Sequence, residues 1–332
     1  MNKKFISEKI DIVILWVDGN DPEWLAEKER YSKINGDNSK NRFRDCDNLQ
    51  YLFRGIEKFA PWVNKIFFVT WGHIPKWLDS NNEKIVIVKH EDFIPMEYLP
   101  TFNSNVIEIN LHRIKDLSEK FILFNDDLFI LKTLKPADFF KNNLPKDMYI
   151  EYVKKNCSNR HKTLRKNYFE VIYKYFNKKE FIKKNISKVF NIKYGLKNIK
   201  NFLNLKYKNF CDIYSQHLTQ PFLKSTFEIV WDKEYQKLNE ACCNKFRADN
   251  DLGTALCRYW LLFTGKFEPT KVIGKYFTMS NDNKKLVKAI KKRKYKVICI
   301  NDSDTSIDFE EAKKQINSAL DKVLNKKSIF EL

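Results

Sequence analysis

Two adjacent carboxylates and an amide, Asn125, Asp126 and Asp127, interrupt the otherwise apolar segment FILFNDDLFIL at 121–131. A short apolar run between lysines is typical of a buried strand, and carboxylates beside a core are costly to desolvate unless something neutralises them. Mg²⁺ takes oxygen ligands from carboxylates, water and substrate phosphates, so these side chains suit the rim of a metal–diphosphate site. The structural alternative is a strand that ends at Asn125, with Asp126 capping the next turn. This segment alone leaves both interpretations open.

Two further apolar runs also end in acidic turns. The run IDIVILWV at 10–17 stops at Asp18, and KVICI at 296–300 stops at Asn301 and Asp302. In open α/β sheets, ligands bind outside the carboxyl ends of the strands, so these turns can meet the acidic pair described above although they are far apart in sequence. Asp, Asn and Gly are ordinary turn residues, and each turn alone has a structural explanation. Their recurrence at three strand ends favours a functional one.

The composition is that of a soluble globular protein with a substantial core. The chain has 332 residues, of which 43% are hydrophobic and 15% aromatic, and we expect one large domain with an inserted or appended lobe. No run of about twenty apolar residues is present, and the N-terminal apolar run is too short for a signal peptide or a membrane span, so the expected location is the cytoplasm. The seven cysteines form no CxxC pair and no zinc-ligand spacing, which favours reduced, structural thiols.

A formal net charge of +19 predicts an anionic partner, such as nucleic acid, a membrane surface or an acidic substrate. Lysine and asparagine are used heavily together, especially at 154–209, so part of the excess reflects composition rather than binding. No recognition-helix, zinc-finger or RNP signature is present. We therefore expect no nucleic-acid partner.

Strand and helix signals alternate along the first part of the chain. Apolar, β-branched runs typical of strands alternate with amphipathic segments typical of helices, in the order 10–17, 47–59, 65–71, 85–90 and 105–117. Asp45 is the predicted N-cap of the first helix. This alternation predicts βαβ units and hence an α/β fold with a mostly parallel, Rossmann-like or GT-A-like sheet and flanking helices.

Composition divides the chain into three parts. These are an N-terminal part of an α/β catalytic core, a lysine- and asparagine-rich insert, and a C-terminal part of the core, at 1–152, 153–209 and 210–332. Apolar residues of the insert, such as Val171 and Tyr175, recur at helical spacing. The insert is therefore predicted to be helical, with one solvated basic face.

Two short motifs follow the insert. His217 lies in SQHLTQPF at 215–222, and Arg247 lies among acidic residues just before an apolar helix predicted at 252–263. A lone histidine is more often packed or solvated than catalytic, and the acidic segment by itself is an N-capped helix start. From the residues alone, neither motif has an assigned function.

Four segments resemble the conserved regions of the Stealth family of sugar-phosphate transferases. This family includes bacterial capsular polysaccharide phosphotransferases and the catalytic subunit of the lysosomal-enzyme GlcNAc-1-phosphotransferase. The segments occur in family order and cover most of the chain outside the insert: IDIVILWVDGNDPEW at 10–24, a long second region at 42–79 and 99–130, YSQHLTQPFLKS at 214–225 with KFRADND at 245–251, and ICINDSD at 298–304. The second region is highly specific, and the fourth is weak alone. The chain departs from the family pattern at Cys46 and at Trp71-Gly72-His73, where many members carry polar residues.

The resemblance implies transfer of a hexose-1-phosphate or an N-acetylhexosamine-1-phosphate from a UDP-sugar to a hydroxyl of an oligo- or polysaccharide acceptor. A phosphodiester forms and UMP is released, in the synthesis of a capsular or other cell-surface polysaccharide. Phosphoryl transfer is catalysed mainly by positioning and electrostatic stabilisation. The minimum parts are therefore a metal, one or more Arg donors and a base for the acceptor hydroxyl.

The resemblance also assigns roles to residues. Asp126 and Asp127 are the expected ligands of Mg²⁺ or Mn²⁺, and Asp127 is counted among the catalytic residues. His217 is expected to be the general base, because imidazole titrates near neutrality, and Arg247 the phosphate clamp, because a guanidinium offers a planar fork of donors. The residues expected to contact the donor are Asp18, Arg42, Arg44, Asn103, Ser104, Asn125, Asp249, Asn301 and Asp302. A solvated loop for the two arginines and helix capping for the serine remain as structural alternatives.

Two other functions remain open. A GT-A-like glycosyltransferase would bind a nucleotide sugar at the same acidic motif but release UDP, and a non-catalytic polyanion-binding protein would use the basic insert as its functional surface. The insert is also a candidate for contact with an anionic membrane surface, a growing polyanionic chain or other capsule-synthesis proteins. A peripheral position on the inner face of the cell membrane is thus an alternative to the free cytoplasm.

Overall fold

The computed structural model describes residues 9–31, 33, 44–153, 158–215, 217–302 and 306–332. Its strands are β1 Ile10–Leu15, β2 Ile66–Thr70, β3 Ile85–Lys89, β4 Lys120–Asn125, β5 Leu128–Ile130, β6 Phe140–Lys141, β7 Leu144–Asp147, β8 Glu151–Tyr152, β9 Asp212–Ile213, β10 Gln220–Leu223, β11 Glu268–Pro269, β12 Gly274–Thr278 and β13 Val297–Asn301. Its helices are α1 Pro22–Arg30, α2 Leu49–Phe59, α3 Ser104–Ile109, α4 Pro136–Phe139, α5 Asn159–Tyr175, α6 Lys178–Lys184, α7 Ile186–Val189, α8 Asn198–Asn204, α9 Lys224–Cys242, α10 Thr254–Phe263, α11 Lys284–Lys291 and α12 Phe309–Asp321. Arg42, one of the expected donor contacts, lies outside the described residues.

A five-stranded sheet in the order β10-β4-β1-β2-β3 forms the centre of the fold. Strands β1 to β4 run parallel, and β10 is an antiparallel strand at one edge. Val13 packs into a core on one face of the sheet, and Ile12 and Ile14 pack into a second core on the other. Because both faces are covered, the strands are continuous apolar runs in the sequence. The predicted α/β fold with a mostly parallel sheet is confirmed.

Most predicted elements are present within a few residues of their expected bounds. The strands predicted at 10–17, 65–71 and 85–90 are β1, β2 and β3, and the helix predicted after Arg247 is α10. The helix predicted at 105–117 is shorter than expected, because α3 ends at Ile109. Its end coincides with buried Asn110, whose side-chain amide donates to the Val106 carbonyl oxygen at 2.9 Å. Asparagine competes in this way with the regular backbone ladder.

The acidic turn joins two sheets. After β4 the chain turns through Asp126 and Asp127 and enters β5, which belongs to a second sheet in the order β12-β13-β5. Helix α2 packs closely on β5 at Gly55. A Cβ atom at this position would lie only 2.9 Å from the Ile130 carbonyl oxygen, so the close approach requires glycine. The strand thus ends at Asn125, as in the structural alternative, and the two carboxylates sit in the turn between two packed layers.

Helix α2 begins later than its sequence suggests. Asn48 is its N-terminal flanking residue, so the prediction of Asp45 as the N-cap was wrong. The Asp45 carboxylate instead accepts a hydrogen bond from the backbone N–H of Asp47 at 2.7 Å, which turns the chain before the helix starts. This leaves Asp45 close to the acidic turns.

The insert contains α5 to α8 and is helical, as predicted. Phe169, Val171 and Phe181 share one core with Val13 of β1 and Phe121 of β4. Strand β8 pairs with β9 where the chain enters and leaves the insert. Across the ranges described, no helix combines the length and the apolar character that a bilayer crossing requires.

Candidate active site

The carboxyl ends of β1, β4 and β13 meet at one edge of the two sheets. The last residues of β1 and β4 are in register, so the segments that follow them leave from the same edge. The backbone N–H of Ile300 in β13 donates to the Asp127 carbonyl oxygen at 2.8 Å. The structure thereby brings together acidic turns that are up to about 280 residues apart in sequence.

Asp127 lies at the centre of this edge. Its Oδ2 atom is 3.1 Å from Cys299 Sγ and 3.7 Å from His217 Nε2. Its Oδ1 atom is buried and has no hydrogen-bond partner among the described residues. A buried, unpaired carboxylate oxygen is costly, and a cation would offset that cost.

The neighbouring carboxylates repel one another. Asp126 is accessible to solvent but crowded by protein, and this desolvation together with the charges of Asp127 and Asp45 raises its pKa to about 7. Desolvation also raises the pKa of Asp45, and the charges of Asp47 and Asp18 add to that shift. Each negative charge raises the free energy of the ionised form of its neighbours. This is expected for a cluster that binds a cation or another positive group.

The donor atoms of this cluster suit a hard divalent cation. Asp127, His217 and Cys299 offer ligand atoms that lie within 4.8 Å of one another. However, burial and the charge of Asp127 raise the pKa of the Cys299 thiol far above its usual range, so the thiol stays protonated and donates to the carboxylate. A cysteine is a good metal ligand only as the thiolate, not as the protonated thiol. The Asp127 carboxylate and the His217 imidazole remain, and carboxylate oxygens are the ligands that Mg²⁺ and Mn²⁺ prefer. Asp126, the other predicted ligand, is next to Asp127 in the chain but is not one of the three residues of this group.

His217 lies over the acidic turn. Its side chain is about half exposed, and its Nε2 atom is 2.7 Å from the Asn125 side-chain Nδ2. The Tyr276 ring is 6.5 Å from the imidazole, and its hydroxyl donates to Asn301 Oδ1 at 3.0 Å. His217 is therefore an accessible imidazole beside a carboxylate, the geometry that a general base needs.

Arg247 lies beside the N-terminus of α3. It donates to the Ser104 hydroxyl at 2.8 Å, so the predicted phosphate clamp and one predicted donor contact are neighbours. Burial raises the pKa of the Glu108 carboxyl, and the hydrogen bond from Thr254 and the charges of Arg247 and His217 only partly oppose this. Thr254 fixes this carboxylate by donating to Oε2 at 2.8 Å. The cluster joins α3, α10 and the segment between α9 and α10.

Asn103 and Asp249, two predicted donor contacts, lie in two different environments. Asn103 is fully buried and donates to Asp251 Oδ1 at 2.9 Å and to the Phe246 carbonyl oxygen at 3.3 Å. Asp249 is exposed, and its backbone carbonyl accepts a hydrogen bond from Asn167 at 2.6 Å. In this structure Asn103 anchors the segment that carries Arg247.

Arg44 and Asp302 contact each other. The guanidinium donates to both carboxylate oxygens, at 2.8 Å each, and stacks 4.5 Å from the centre of the Phe309 ring. The pair ties the segment before α2 to the end of β13. A donor phosphate at Arg44 would therefore compete with Asp302 for the same N–H groups.

Asp18 is held by a histidine that the sequence left without a role. The Asp18 backbone N–H donates to His73 Nε2 at 2.8 Å, which places the proton of the neutral ring on Nδ1, 3.7 Å from Asp21 Oδ2. Burial lowers the pKa of His73, and the charge of Asp21 only partly opposes this. His73 is thus a neutral positioning group for the turn after β1.

Sequence reasoning missed three acidic residues near the site. Asp45 was assigned to a helix cap, and Glu108 was not singled out on α3. Asp251 is buried and receives hydrogen bonds from Asn105, Arg160 and the Ala248 backbone. The repeated acids of KFRADND were the one signal for Asp251, whereas nothing in the sequence distinguished Glu108 from an ordinary helical glutamate.

Solved structures with a similar outline are glycosyltransferases. They include the galactosyltransferase LgtC in complex with donor and acceptor sugar analogues, with a TM-score of 0.40, 12% identity and coverage of 93% of this chain and 95% of that one. The bifunctional glycosyltransferase WbbM has a TM-score of 0.38, 12% identity and coverage of 99% of this chain and 53% of that one. Structural similarities this weak do not establish a function.

The chain is much more similar in sequence to a group of phosphotransferases than to these solved structures. The family models of Stealth protein conserved regions 1 and 2 match residues 8–36 and 42–147. The capsular polysaccharide phosphotransferase WcwK of Streptococcus pneumoniae is 45% identical over 98% of both chains. The receptor polysaccharide phosphotransferase WefC of Streptococcus gordonii is 39% identical over 98% of this chain and 99% of its own. The exopolysaccharide phosphotransferase cps2G of Lactiplantibacillus plantarum is 37% identical over 97% of this chain and 96% of its own. The chain therefore belongs to the Stealth family and is an enzyme of the transferase class, a phosphotransferase.

Proposed function

We propose that this enzyme transfers a hexose-1-phosphate or an N-acetylhexosamine-1-phosphate from a UDP-sugar to a hydroxyl group of an oligo- or polysaccharide. The product is a phosphodiester in a capsular or other cell-surface polysaccharide, and the by-product is UMP. The observation that carries the proposal is the position of Asp127, with one oxygen unpaired and the other 3.7 Å from His217 Nε2. Such a site offers a cation position and a base side by side, as phosphoryl transfer to a hydroxyl requires.

The acidic cluster is the proposed place of the donor diphosphate. Asp126 and Asp127 are the proposed ligands of Mg²⁺ or Mn²⁺, which when bound supplies positive charge to the phosphates. Arg247 is proposed to donate its N–H groups to the transferred phosphoryl oxygens, with its orientation set by Ser104. Asp18, Asn301 and the Arg44–Asp302 pair, at the same edge, are proposed to contact the nucleotide or the sugar.

His217 is proposed to accept the proton of the attacking hydroxyl. In this structure the Asn125 amide donates to Nε2, so Nε2 carries the ring's lone pair. An acceptor hydroxyl that displaces the amide gives its proton to Nε2 while its oxygen attacks the sugar-bearing phosphorus. The bond from that phosphorus to the UMP oxygen breaks, and UMP leaves with the electron pair. The Asp127 charge stabilises the resulting imidazolium.

The decisive experiment identifies the nucleotide product. We expect purified enzyme with Mg²⁺, a panel of UDP-sugars and oligosaccharide acceptors to release UMP, and phosphorus NMR to show a new phosphodiester signal. Release of UDP would establish a glycosyltransferase instead. Salt-sensitive polyanion binding that Asp127→Asn does not affect, with no nucleotide released, would establish a binding protein.

The proposed location is the cytoplasm, where UDP-sugar donors are expected, with peripheral attachment to the inner face of the membrane. Fractionation of cells that express the full chain tests this. We expect the protein in the cytosolic and membrane-associated fractions and its release from membranes by high salt. A protein recovered outside the cell would contradict the proposal.

A further inference from the structure

Helix α8 is arranged in the opposite way from an ordinary surface helix. Its asparagines face the protein, since Asn201 and Asn204 are buried. Its apolar side chains face solvent, with Phe202 67% exposed and Leu203 and Ile199 more than half exposed. A surface helix normally turns its apolar stripe to the core. Exposure to water alone therefore does not explain why the apolar side chains of α8 face outward.

The buried asparagines are fully used in hydrogen bonds. Asn201 donates to the carbonyl oxygens of Tyr149 and Val189 and accepts from the Glu151 backbone N–H. Asn204 donates to the Glu151 carbonyl oxygen at 2.9 Å. These bonds hold α8 in a fixed rotation, so its apolar side chains cannot turn inward without breaking them.

The exposed apolar side chains continue beyond the helix. Ile192 is 91% exposed and Leu196 85% exposed. We call the following six residues, all more than half exposed, the insert face: Ile186, Ile192, Leu196, Ile199, Phe202 and Leu203. An apolar surface of this kind marks a contact with another apolar phase or partner.

Lysines flank the residues of the insert face in the sequence. Between Phe181 and Cys211 the sequence contains eight lysines and no aspartate or glutamate. Exposed lysines flank the apolar residues on both sides in sequence: Lys183, Lys184, Lys193, Lys200, Lys206 and Lys208. Apolar side chains bordered by lysines are the pattern of a segment that lies in the interface of an anionic bilayer.

We infer that the insert face docks onto an anionic lipid bilayer, with its apolar side chains among the acyl chains and its lysines at the phosphate headgroups. A second copy of the chain is a poor occupant, because a symmetric contact would place lysines against lysines. A hydrophilic anionic polysaccharide would pair with the lysines but leave the six apolar side chains in water. The bilayer satisfies both features at once.

Docking here would hold the site close to the membrane. The Lys197 and Lys200 ammonium groups lie 4.7 Å and 6.0 Å from the centre of the Tyr214 ring. Tyr214 is three residues before His217 in the chain. Lysines beside the insert face thus contact Tyr214, in the segment that leads to the proposed base, and docking would bring this segment to the membrane surface, where an acceptor can be displayed.

The test uses the full chain and vesicles. We expect co-sedimentation with phosphatidylcholine vesicles that contain about one third phosphatidylglycerol, at least about tenfold weaker binding to pure phosphatidylcholine, and weakening by salt. The double variant Phe202→Ser/Leu203→Ser and the double variant Lys206→Glu/Lys208→Glu should each lower the affinity at least about tenfold. Their controls, Met96→Ser and Lys291→Glu/Lys292→Glu, change exposed residues elsewhere and should stay within about threefold of the parent.

A second measurement does not depend on variants. Hydrogen exchange of the parent chain should slow at 186–207 when anionic vesicles are added. Unchanged exchange there, or full binding by the Phe202→Ser/Leu203→Ser variant, would overturn the inference. A dimer in solution that this variant dissociates would assign the face to a second copy instead. Lysine-dependent binding of a soluble anionic polysaccharide, with the apolar residues dispensable, would also overturn it.

Discussion

At the scale of single residues, Asp127 is poorly explained by stability. One carboxylate oxygen faces the Cys299 thiol and His217, whereas the other is buried without a partner in the described part of the chain. After desolvation, the charge of Asp127 is the next cause of the raised pKa of Asp126. Both observations mean that the carboxylate raises the free energy of the fold, which is typical of a residue kept for function.

We expect Asp127→Asn to lower kcat/KM for the donor at least about a hundredfold. The substitution removes a charged ligand of the proposed cation, which would neutralise the donor phosphates. Stability should be unchanged or higher, since repulsion of Asp126 disappears. Steady-state UMP release and thermal unfolding measure the two effects. Asp232→Asn is the matched control, because the Asp232 side chain is 77% exposed on α9, and it should keep full activity. If Asp127→Asn unfolds the protein, its role is structural.

His217 tests the proposed proton transfer. We expect His217→Gln to lower kcat by about 10²–10⁴ while KM for the UDP-sugar changes less than about threefold, because a general base acts on the transition state and not on donor binding. Glutamine keeps a polar group of similar reach beside Asn125. A raised KM with an unchanged kcat would make His217 a binding residue and refute its role as base.

At the scale of elements, one ion pair connects the segment before α2 to the end of β13. Arg44 and Asp302 are 258 positions apart, and their side chains are 27% and 11% exposed. We expect Arg44→Gln and Asp302→Asn each to lower the free energy of unfolding by about 1–3 kcal/mol, and the double variant to lose less than the sum. Urea unfolding of the four proteins gives the coupling energy.

The exposed pair Lys89–Glu91 is the control for this cycle. Its side chains are 49% and 64% exposed, with a contact distance of 3.4 Å, so its coupling should be below about 1 kcal/mol. Equal coupling in the two pairs would mean that the Arg44–Asp302 contact does not hold the two elements together.

The sequence predicted the elements better than their junctions. Period and composition locate β1, β2 and β3 because both faces of these strands are buried. The strand ends shortly before Asp18 and at Asn301 follow from apolar runs of the same kind. The early end of α3 and the late start of α2 depend on hydrogen bonds of Asn110 and Asp45 that local patterns do not specify. Likewise, Glu108 contacts Thr254 and comes under the charge of Arg247 only because α3 packs against α10, a contact with no local signature.

At the scale of the whole molecule, ionisable groups whose pKa values the fold shifts in opposite directions contribute to its response to acid. Burial lowers the pKa of His90 to about 3 and that of His112 to about 4. These rings are neutral in the fold and take up protons on unfolding, so they destabilise the fold as the pH drops below about 6.5. Asp126, with a pKa raised to about 7, takes up its proton in the folded state first and acts in the opposite direction.

Single variants separate these contributions. Between pH 7 and pH 5, His112 should lower the free energy of unfolding of the parent by about 2 kcal/mol, because the unfolded ring becomes protonated over this range and the folded ring does not. We therefore expect the free energy of unfolding of His112→Gln to fall less steeply than that of the parent over this interval. Asp126→Asn removes the opposing group, so its stability should fall more steeply than the parent's. Urea unfolding at both pH values measures all three slopes. Parallel slopes for the parent and His112→Gln would mean that the ring is already protonated in the fold, against its contacts with the Phe227 and Trp231 rings and its place beside Arg113.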